Sequence, residues 1–563
     1  MIKNILTKII KETVKSELVT VDIPDSLGFG DYSTNLAMIL AKQENKNPRE
    51  LAEEIVNVLE RSKKLSKIIE KFEIAGAGFI NFWIKKQFLL ENLNQINKEK
   101  DQYGDLDLNK GKVAIVEYSS PNIAKPFTIG HLRSTIIGDA IANILAKTGW
   151  KVLRDNHLGD WGTQFGKMIY AIKTWGDEEK IINSTSPVKD LVKLYVKFHK
   201  EVENDTLLDD KARSWFKKLE DGDTEARRIW KLCIDLSWKE FNEIYSILGI
   251  KFSKEFNNGK GLGESFFEKK MEAIIRELKN KNLLKNGKEG AQLVFFEKDK
   301  YPPAMILKKD GTTLYHTRDL ATDKYRLEKY KPDLVINEVG AEQILYFQQL
   351  FEMEKILGWY KEGQRVHIPH GLYRFKEGKM STRKGNIIWM NEVISDAIKK
   401  AKELGSANEN VAEIVAIGAL KYNDLKRDPK TEIVFDWNEV LSMEGNSGPY
   451  LQYTFARTLS VLQKAKNTTD KLPNNLQLSS EEELVLRTLI KYTDIIIKAA
   501  EYYSPNSLCN YLFDLAQKYN SFYNKFRIID SENENFRLVL TMATNQVIKN
   551  GLGILGIQVP SEM

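Results

Sequence analysis

Between residues 112 and 145 the spacing of apolar positions changes period once. Val113, Ala114, Ile115 and Val116 stand together ahead of polar residues, the pattern of a strand buried within a parallel sheet. From Ile129 onward, Leu132, Ile136, Ile137, Ala140, Ile141 and Ile144 recur at helical spacing. Pro121 and Pro126 keep the connection irregular. Gly130 removes a side chain where the helix begins, so a ligand can approach the backbone there. A strand, a polar loop and a helix N-terminus bring free N–H groups and a positive dipole end together, which favours phosphate.

The same reading divides the rest of the chain. Helical periodicity over residues 2–14, 33–42 and 48–59 surrounds a turn-rich loop at 24–32, and alternation over 74–84 predicts strands. Residues 175–289 are charge-rich and mostly helical in pattern. Their aromatics Tyr195, Trp215, Trp230 and Trp238 are spaced as core residues are, more than as an RNA platform. The core is then expected to resume with strands over 291–297 and 304–308, a helix running to Tyr330, a strand over 333–338 and a helix opening at Gln343. Strands alternating with helices predict an α/β fold with a doubly wound parallel sheet, whose ligands sit at the carboxyl ends of the strands. From about residue 411 the pattern is helical to the end.

Composition narrows this only a little. The 563 residues allow several domains, and 42% hydrophobic with 29% charged residues is ordinary for a globular chain. A net charge of +6 on this length is compatible with an RNA partner without requiring one. The two cysteines, Cys233 and Cys509, have no metal-ligand spacing and suit a reducing compartment. No apolar run reaches the roughly 18 residues of a membrane span, and the N-terminus reads as an amphipathic helix, not a secretory signal. A cytoplasmic location is expected.

Candidate chemistry enters with the loop before the central helix. It is neither GxGxxG nor GxxxxGK[ST]. Thr128-Ile129-Gly130-His131, followed by Leu132-Arg133-Ser134-Thr135, resembles the HIGH signature of class I aminoacyl-tRNA synthetases. SSPNIAKPF before it and DNHLGDWGTQFG at residues 155–166 resemble one branch, the arginyl-tRNA synthetases. Lys379-Met380-Ser381-Thr382-Arg383-Lys384-Gly385-Asn386 resembles the second class I signature, KMSKS, a loop that closes over ATP phosphates. GDYSTNLAM at residues 30–38 is similar to a phrase in that family's N-terminal domain. Residues 446–453 with Arg457 resemble the start of its helical anticodon-binding domain.

The resemblance implies an architecture and a reaction. A Rossmann-like class I catalytic core would occupy about residues 111–390, with the helical stretch 175–289 inserted over the 3′ end of a tRNA. A small α+β N-terminal domain at 1–110, a helical connector at 391–440 and an all-α anticodon-binding bundle at 441–563 would complete it. The implied activity is ATP-dependent ligation of L-arginine to tRNA(Arg) through an arginyl-adenylate. ATP enters as a substrate with Mg²⁺. No resident metal or membrane is expected, and the chain is expected to act as a monomer.

Residue roles follow the same resemblance. Activation is the attack of a carboxylate on the α-phosphate, which needs positioning and charge stabilisation more than covalent help. His131 is the expected donor to phosphate, with Thr128 where the family usually carries the first histidine of its signature. Thr382 stands where the second signature has its second lysine, and Lys125 matches a position thought to supply that charge. Gly130, Lys379, Met380, Ser381, Arg383 and Lys384 complete the ATP side. For the planar guanidinium, which calls for carboxylates, Asp319 is the expected fork, with Tyr315 one helical turn away. Glu117 and Glu264 add acceptors, and Asn122 and Gln343 suit the α-amino and carboxylate ends. Phe29 and Asn35 would meet the tRNA elbow, and Tyr450, Tyr453 and Arg457 the anticodon side. A guanidinium site rejects lysine and neutral analogues by leaving its carboxylates unpaired, so no editing domain is expected. The competing reading is an RNA-binding paralogue that has lost catalysis. Thr128 and Thr382 favour it; His131, Asn122, Asp319 and Gln343 oppose it.

Overall fold

The structure is a computed structural model that describes residues 2–563 except 25, 288–289, 310, 312, 375–387, 406–407 and 466–475. The chain packs as two units. One joins Met1–Asp105 to Met443–Gly553 and Gln558–Met563; the other comprises Leu106–Ser442 and Ile554–Ile557.

The second unit is built on a parallel sheet in which Val113–Glu117 lies between Lys151–Asp155 and Leu334–Gly340, with Arg365–His370 outside the latter. Ala114, Ile115 and Val116 are fully buried, as the apolar run predicts. Helix Ile129–Lys147 carries the chain from Val113–Glu117 to Lys151–Asp155. It is buried on nearly every side, Arg133 and Asp139 included, which explains its apolar residues all round. From Leu334–Gly340 the chain passes through helix Ile344–Leu357 to Arg365–His370. The two crossovers leave the central strand pair in opposite directions, which opens a crevice at the carboxyl ends of that pair. The doubly wound parallel core is therefore present.

Two strands expected in that core lie elsewhere. Gln292–Val294 and Ala304–Leu307 join Leu284–Asn286 in a separate antiparallel sheet of three strands. Short connections dictate this. A parallel pairing needs a crossover of about a dozen residues or more, and the links here are shorter. The expected 33–42 helix is also corrected. Tyr32–Thr34 is a strand paired antiparallel with Phe79–Ile84, and the helix begins only at Leu36.

Buried charge fastens the crevice. Arg326, on helix Tyr315–Tyr330, donates to Glu117 and, at 2.7 Å, to Asp155, both at the carboxyl ends of strands, and at 3.0 Å to Asp323. Arg365 then pairs with Asp323 at 2.6 Å and with Glu354 at 2.7 Å. A helix of the late sequence is thereby tied to strands laid down some 200 residues earlier.

In the first unit, Phe79–Ile84 is flanked by Tyr32–Thr34 and Ile69–Ala75 in an antiparallel sheet accompanied by helices Ile2–Val14, Leu36–Glu44 and Pro48–Glu60. The C-terminal segment contributes helices, among them Gly448–Lys464, Ser480–Leu489, Tyr492–Glu501 and Pro505–Lys525. Asp31, fully buried, accepts from the Ile84 N–H at 2.8 Å and pairs with Arg487. The Tyr32 hydroxyl donates to Asp494 at 2.9 Å. These contacts join the two ends of the sequence.

Arg326→Met leaves Glu117 and Asp155 buried without that cation. It is expected to destabilise the protein by about 3–5 kcal/mol, the range for breaking a buried ion pair from one side. Urea denaturation of the variant against the parent measures this.

Candidate active site

The crevice is a cavity of about 680 Å³. Glu117, Asn122, Thr128, Gly130, His131, Glu264, Tyr315, Asp319 and Gln343 all line it, although they span more than two hundred residues of sequence. Lys125 is not among the residues that line it, but its charge bears on His131. Lys379, Met380, Ser381, Thr382, Arg383 and Lys384 lie outside the described residues. Of the residues flanking that stretch, Leu372 lines the cavity and Trp389 pairs antiparallel with Thr128.

The loop from Ser119 to Thr128 is held from three directions. Ser119 N–H donates to Ser134 Oγ at 3.0 Å, Ser120 N–H to Asn156 Oδ1 at 3.1 Å, and Ala124 N–H to Ser237 Oγ at 2.9 Å. Ser119, Ser120 and Ala124 have φ of 72°, 43° and 56°, a costly left-handed backbone for residues with a Cβ. These bonds keep the backbone there. Asn122 pairs with Gly159, where a Cβ would fall 2.3 Å from Asn122 Oδ1, so only glycine permits the approach.

Thr128 caps the central helix and fixes His131. Its N–H donates to His131 Nδ1 at 3.1 Å, and its Oγ1 lies 3.0 Å from the same nitrogen. Because an N–H can only donate, Nδ1 is the acceptor and the imidazole proton resides on Nε2. Burial, with Lys125 and His370 nearby, pushes the His131 pKa down to about 4. At neutral pH this side chain is an uncharged donor through Nε2, standing at a helix N-terminus.

The opposite wall is acidic. Glu117 is held by Arg326; burial pushes its carboxyl up, but Arg326 and then His157 outweigh that and leave it below its ordinary value. Glu264 pairs with Arg318 at 3.2 Å, and burial pushes it up. Asp319 accepts from the Tyr346 hydroxyl, and burial raises it too, against the opposing influence of His157 and Tyr346. Tyr315, expected as the phenolic partner of Asp319, stands 67% exposed at the cavity rim, its ring 6.0 Å from the Arg318 guanidinium. Tyr346 supplies the phenol instead. The two half-buried acids, Glu264 and Asp319, sit in surroundings that penalise their negative charge. A cation entering the cavity would relieve that penalty.

The sequence reading passed over His157, Arg326, Tyr346 and the pair His370–Glu338, whose Nδ1···Oε1 distance is 2.7 Å. His157 was legible in the DNHLGDWG phrase but had no partner in sequence to suggest a role. Tyr346 lies one helical turn beyond Gln343, and only the packing of two helices brings it to Asp319.

In the first unit, Tyr453, Arg457 and Tyr523 line a second cavity of about 780 Å³ together with Lys464 and Arg527. The Arg457 guanidinium lies 4.8 Å from the Tyr453 ring and 4.9 Å from the Tyr523 ring. Tyr450 is turned inward, accepting from Asn520 at 2.9 Å. Phe29 is 55% exposed beside Gly30, and Asn35 accepts from Thr20 at 3.2 Å.

Comparison with known proteins agrees along the whole chain. Family models described as "tRNA synthetases class I (R), catalytic domain", "DALR anticodon binding domain" and "Arginyl tRNA synthetase N terminal domain" match residues 92–437, 451–563 and 1–84. A protein of Clostridioides difficile named arginine–tRNA ligase is 40% identical, the match covering 100% of this chain and 99% of that one. One of the same name from Halothermothrix orenii is 40% identical over 96% of this chain and 95% of its own. The crystal structure of arginyl-tRNA synthetase from Plasmodium falciparum is similar with a TM-score of 0.83 at 25% identity, covering 100% of this chain and 99% of that one.

The geometry around His131 makes a spectroscopic prediction. Its ring should show protonated Nε2 and unprotonated Nδ1 in ¹⁵N-resolved NMR, with no titration between pH 6 and 8, because its pKa lies near 4. A titration near pH 6.5 would contradict the assignment.

Proposed function

The chain belongs to the class I arginyl-tRNA synthetases, an enzyme family that ligates arginine to tRNA, and from that premise we propose how its cavity divides the work. The paralogue without catalysis is not the favoured reading. ATP lies against the start of helix Ile129–Lys147, where backbone N–H groups, the helix dipole and His131 Nε2–H meet phosphate oxygens. Lys125 adds a positive charge on that side, and Mg²⁺ arriving with ATP would neutralise the phosphates further. The arginine guanidinium faces Asp319, with Tyr346 steadying the carboxylate. Glu264 and Glu117 shape the negative field around it, and Asn122 and Gln343 serve the α-amino and carboxylate ends. The arginine carboxylate attacks the α-phosphate and pyrophosphate departs. A ribose hydroxyl at the tRNA 3′ end then attacks the activated carbonyl and AMP leaves.

One observation carries this reading: a neutral imidazole hydrogen-bond donor and a cluster of charge-penalised acids face the same 680 Å³ cavity. The substrates it suits are a polyphosphate at one end and a planar cation at the other. For the tRNA, the exposed Phe29 and the Tyr453–Arg457–Tyr523 cavity offer stacking surfaces for unpaired bases, the second lying within the segment matched by the anticodon-binding model. Among the described residues no helix is long and apolar enough to cross a membrane. A cytoplasmic site of action accords with the reducing compartment that the buried Cys233 and Cys509 suit.

Asp319→Asn removes charge from the guanidinium side alone. It is expected to raise the KM for arginine on the order of 10- to 100-fold, the equivalent of one charged hydrogen bond, while leaving the KM for ATP largely unchanged. Steady-state pyrophosphate exchange measures both. A larger rise for ATP would mean the two ends of the cavity have been assigned the wrong way round.

A further inference from the structure

Strand Arg365–His370 carries two histidines three residues apart, and the alternation of a strand sends them to opposite faces. His367 stacks on Phe347 of helix Ile344–Leu357, the ring centroids 4.4 Å apart. His370 lines the cavity, with its Nδ1 2.7 Å from Glu338 Oε1. The parallel register sets Ile368 opposite Glu338, so Glu338 and His370 are diagonal neighbours on one face. Helix Ile129–Lys147 reaches the same place: Ser134 Oγ donates to the Glu338 carbonyl at 3.2 Å, and the charge of His370 bears on His131.

Glu338 needs a cation. It lines the cavity but is almost wholly buried, and its Oε2 has neither solvent nor a hydrogen-bond partner among the described residues. A carboxylate so placed stays ionised only beside an opposite charge. The surrounding groups leave one candidate. Arg133, from the central helix, donates to the carbonyls of Gly371 and Pro429, both at 2.9 Å, and faces Asp424 at 3.5 Å. Asp424, from helix Glu409–Leu425, also accepts from the Tyr373 hydroxyl at 2.7 Å. His131 is neutral, its Nδ1 taken by the Thr128 N–H. His370 alone contacts the Glu338 carboxylate, at a distance that suits a charged N–H donor. Since an ionised carboxylate only accepts, Nδ1 carries a proton, and in an imidazolium Nε2 carries one as well. Burial opposes that charge, but Glu338 outweighs burial; Arg133 opposes the charge and Asp424 favours it, and the imidazole stands above its ordinary value.

We propose that His370 is a further nucleotide-binding residue: Glu338 holds its ring through Nδ1–H, and Nε2–H serves as a charged donor to ATP. The inference rests on reading the start of helix Ile129–Lys147 as the nucleotide end of the cavity. There the two histidines divide the work. His131 is a neutral donor oriented by Thr128, whereas His370 adds a positive charge at a strand end, backed by a carboxylate that the fold has already buried. An anionic ligand prefers the protonated ring and strengthens its hold on the proton. Affinity for ATP is therefore level below the free-enzyme value, which lies above the ordinary histidine value of about 6.5. It falls by at most about tenfold per pH unit above that point and levels again beyond the bound value.

The chain has six histidines, so His370 can be assigned in ¹⁵N-resolved NMR of the full-length enzyme by its loss from His370→Asn. Both of its nitrogens should be protonated at pH 6.5, where His131 shows one. Steady-state tRNA charging at saturating Mg²⁺ reads the role in binding. His370→Asn should raise the KM for ATP on the order of 10- to 100-fold at pH 7, the equivalent of one charged hydrogen bond, with the KM for arginine largely unchanged. Glu338→Gln keeps the shape of the partner and removes its charge. It should raise the KM for ATP at pH 8 and recover at pH 6, where His370 takes up its proton again. His370→Asn should show no such recovery, and circular dichroism checks that each variant is folded. A His370 ring that is neutral at pH 6.5, or an unchanged KM for ATP in both variants, would overturn the role of His370 while leaving the nucleotide end in place. A rise confined to the KM for arginine would overturn the nucleotide reading and this proposal with it.

Discussion

Arg326 holds together what the sheet alone could not. A parallel sheet that ends its strands in Glu117 and Asp155 brings two carboxylates side by side in a poorly hydrated crevice, where their mutual repulsion and lost hydration oppose folding. The guanidinium contacts both and Asp323 besides, and Arg365 continues the chain of charge to Glu354. Helix Tyr315–Tyr330 is positioned by these contacts, and Asp319, two turns before Arg326 on the same helix, is positioned with it. The fold and the acidic wall of the site are therefore one arrangement.

The two ends of the cavity rest on different physics. At the start of helix Ile129–Lys147 the protein has oriented dipoles and a neutral histidine whose tautomer is set by the Thr128 N–H. Thr128 caps the helix and directs His131 without adding charge. At the other end the protein uses buried acids, and there the difficulty is keeping them ionised in the absence of a cation. Left-handed residues Ser119, Ser120 and Ala124 connect the two ends, held by hydrogen bonds from three other segments.

Local pattern carried much of this in the sequence. The strand Val113–Glu117 and the helix after Ile129 were legible because one apolar run and one helical period meet at a proline-rich loop. Helix Tyr315–Tyr330 and strand Leu334–Gly340 were legible for the same reason. The antiparallel placement of Gln292–Val294 and Ala304–Leu307 was not, since an isolated apolar run does not state its partner or direction. Tyr346 and Arg326 were missed because their importance arises from helix packing across long stretches of sequence. His157 was visible in its phrase, but the acids around it come from three other elements. The association of the N-terminal segment with the C-terminal helices includes the pairs Asp31–Arg487 and Tyr32–Asp494, which no spacing rule connects.

The central claim is that this cavity selects a planar cation by its charge. Equilibrium binding of L-arginine against L-citrulline, nearly identical in shape but with a neutral end group, separates charge from fit. The account predicts that the full-length enzyme binds arginine at least about a hundredfold more tightly, because citrulline leaves the acids without their counter-charge. Comparable affinities for the two would contradict it.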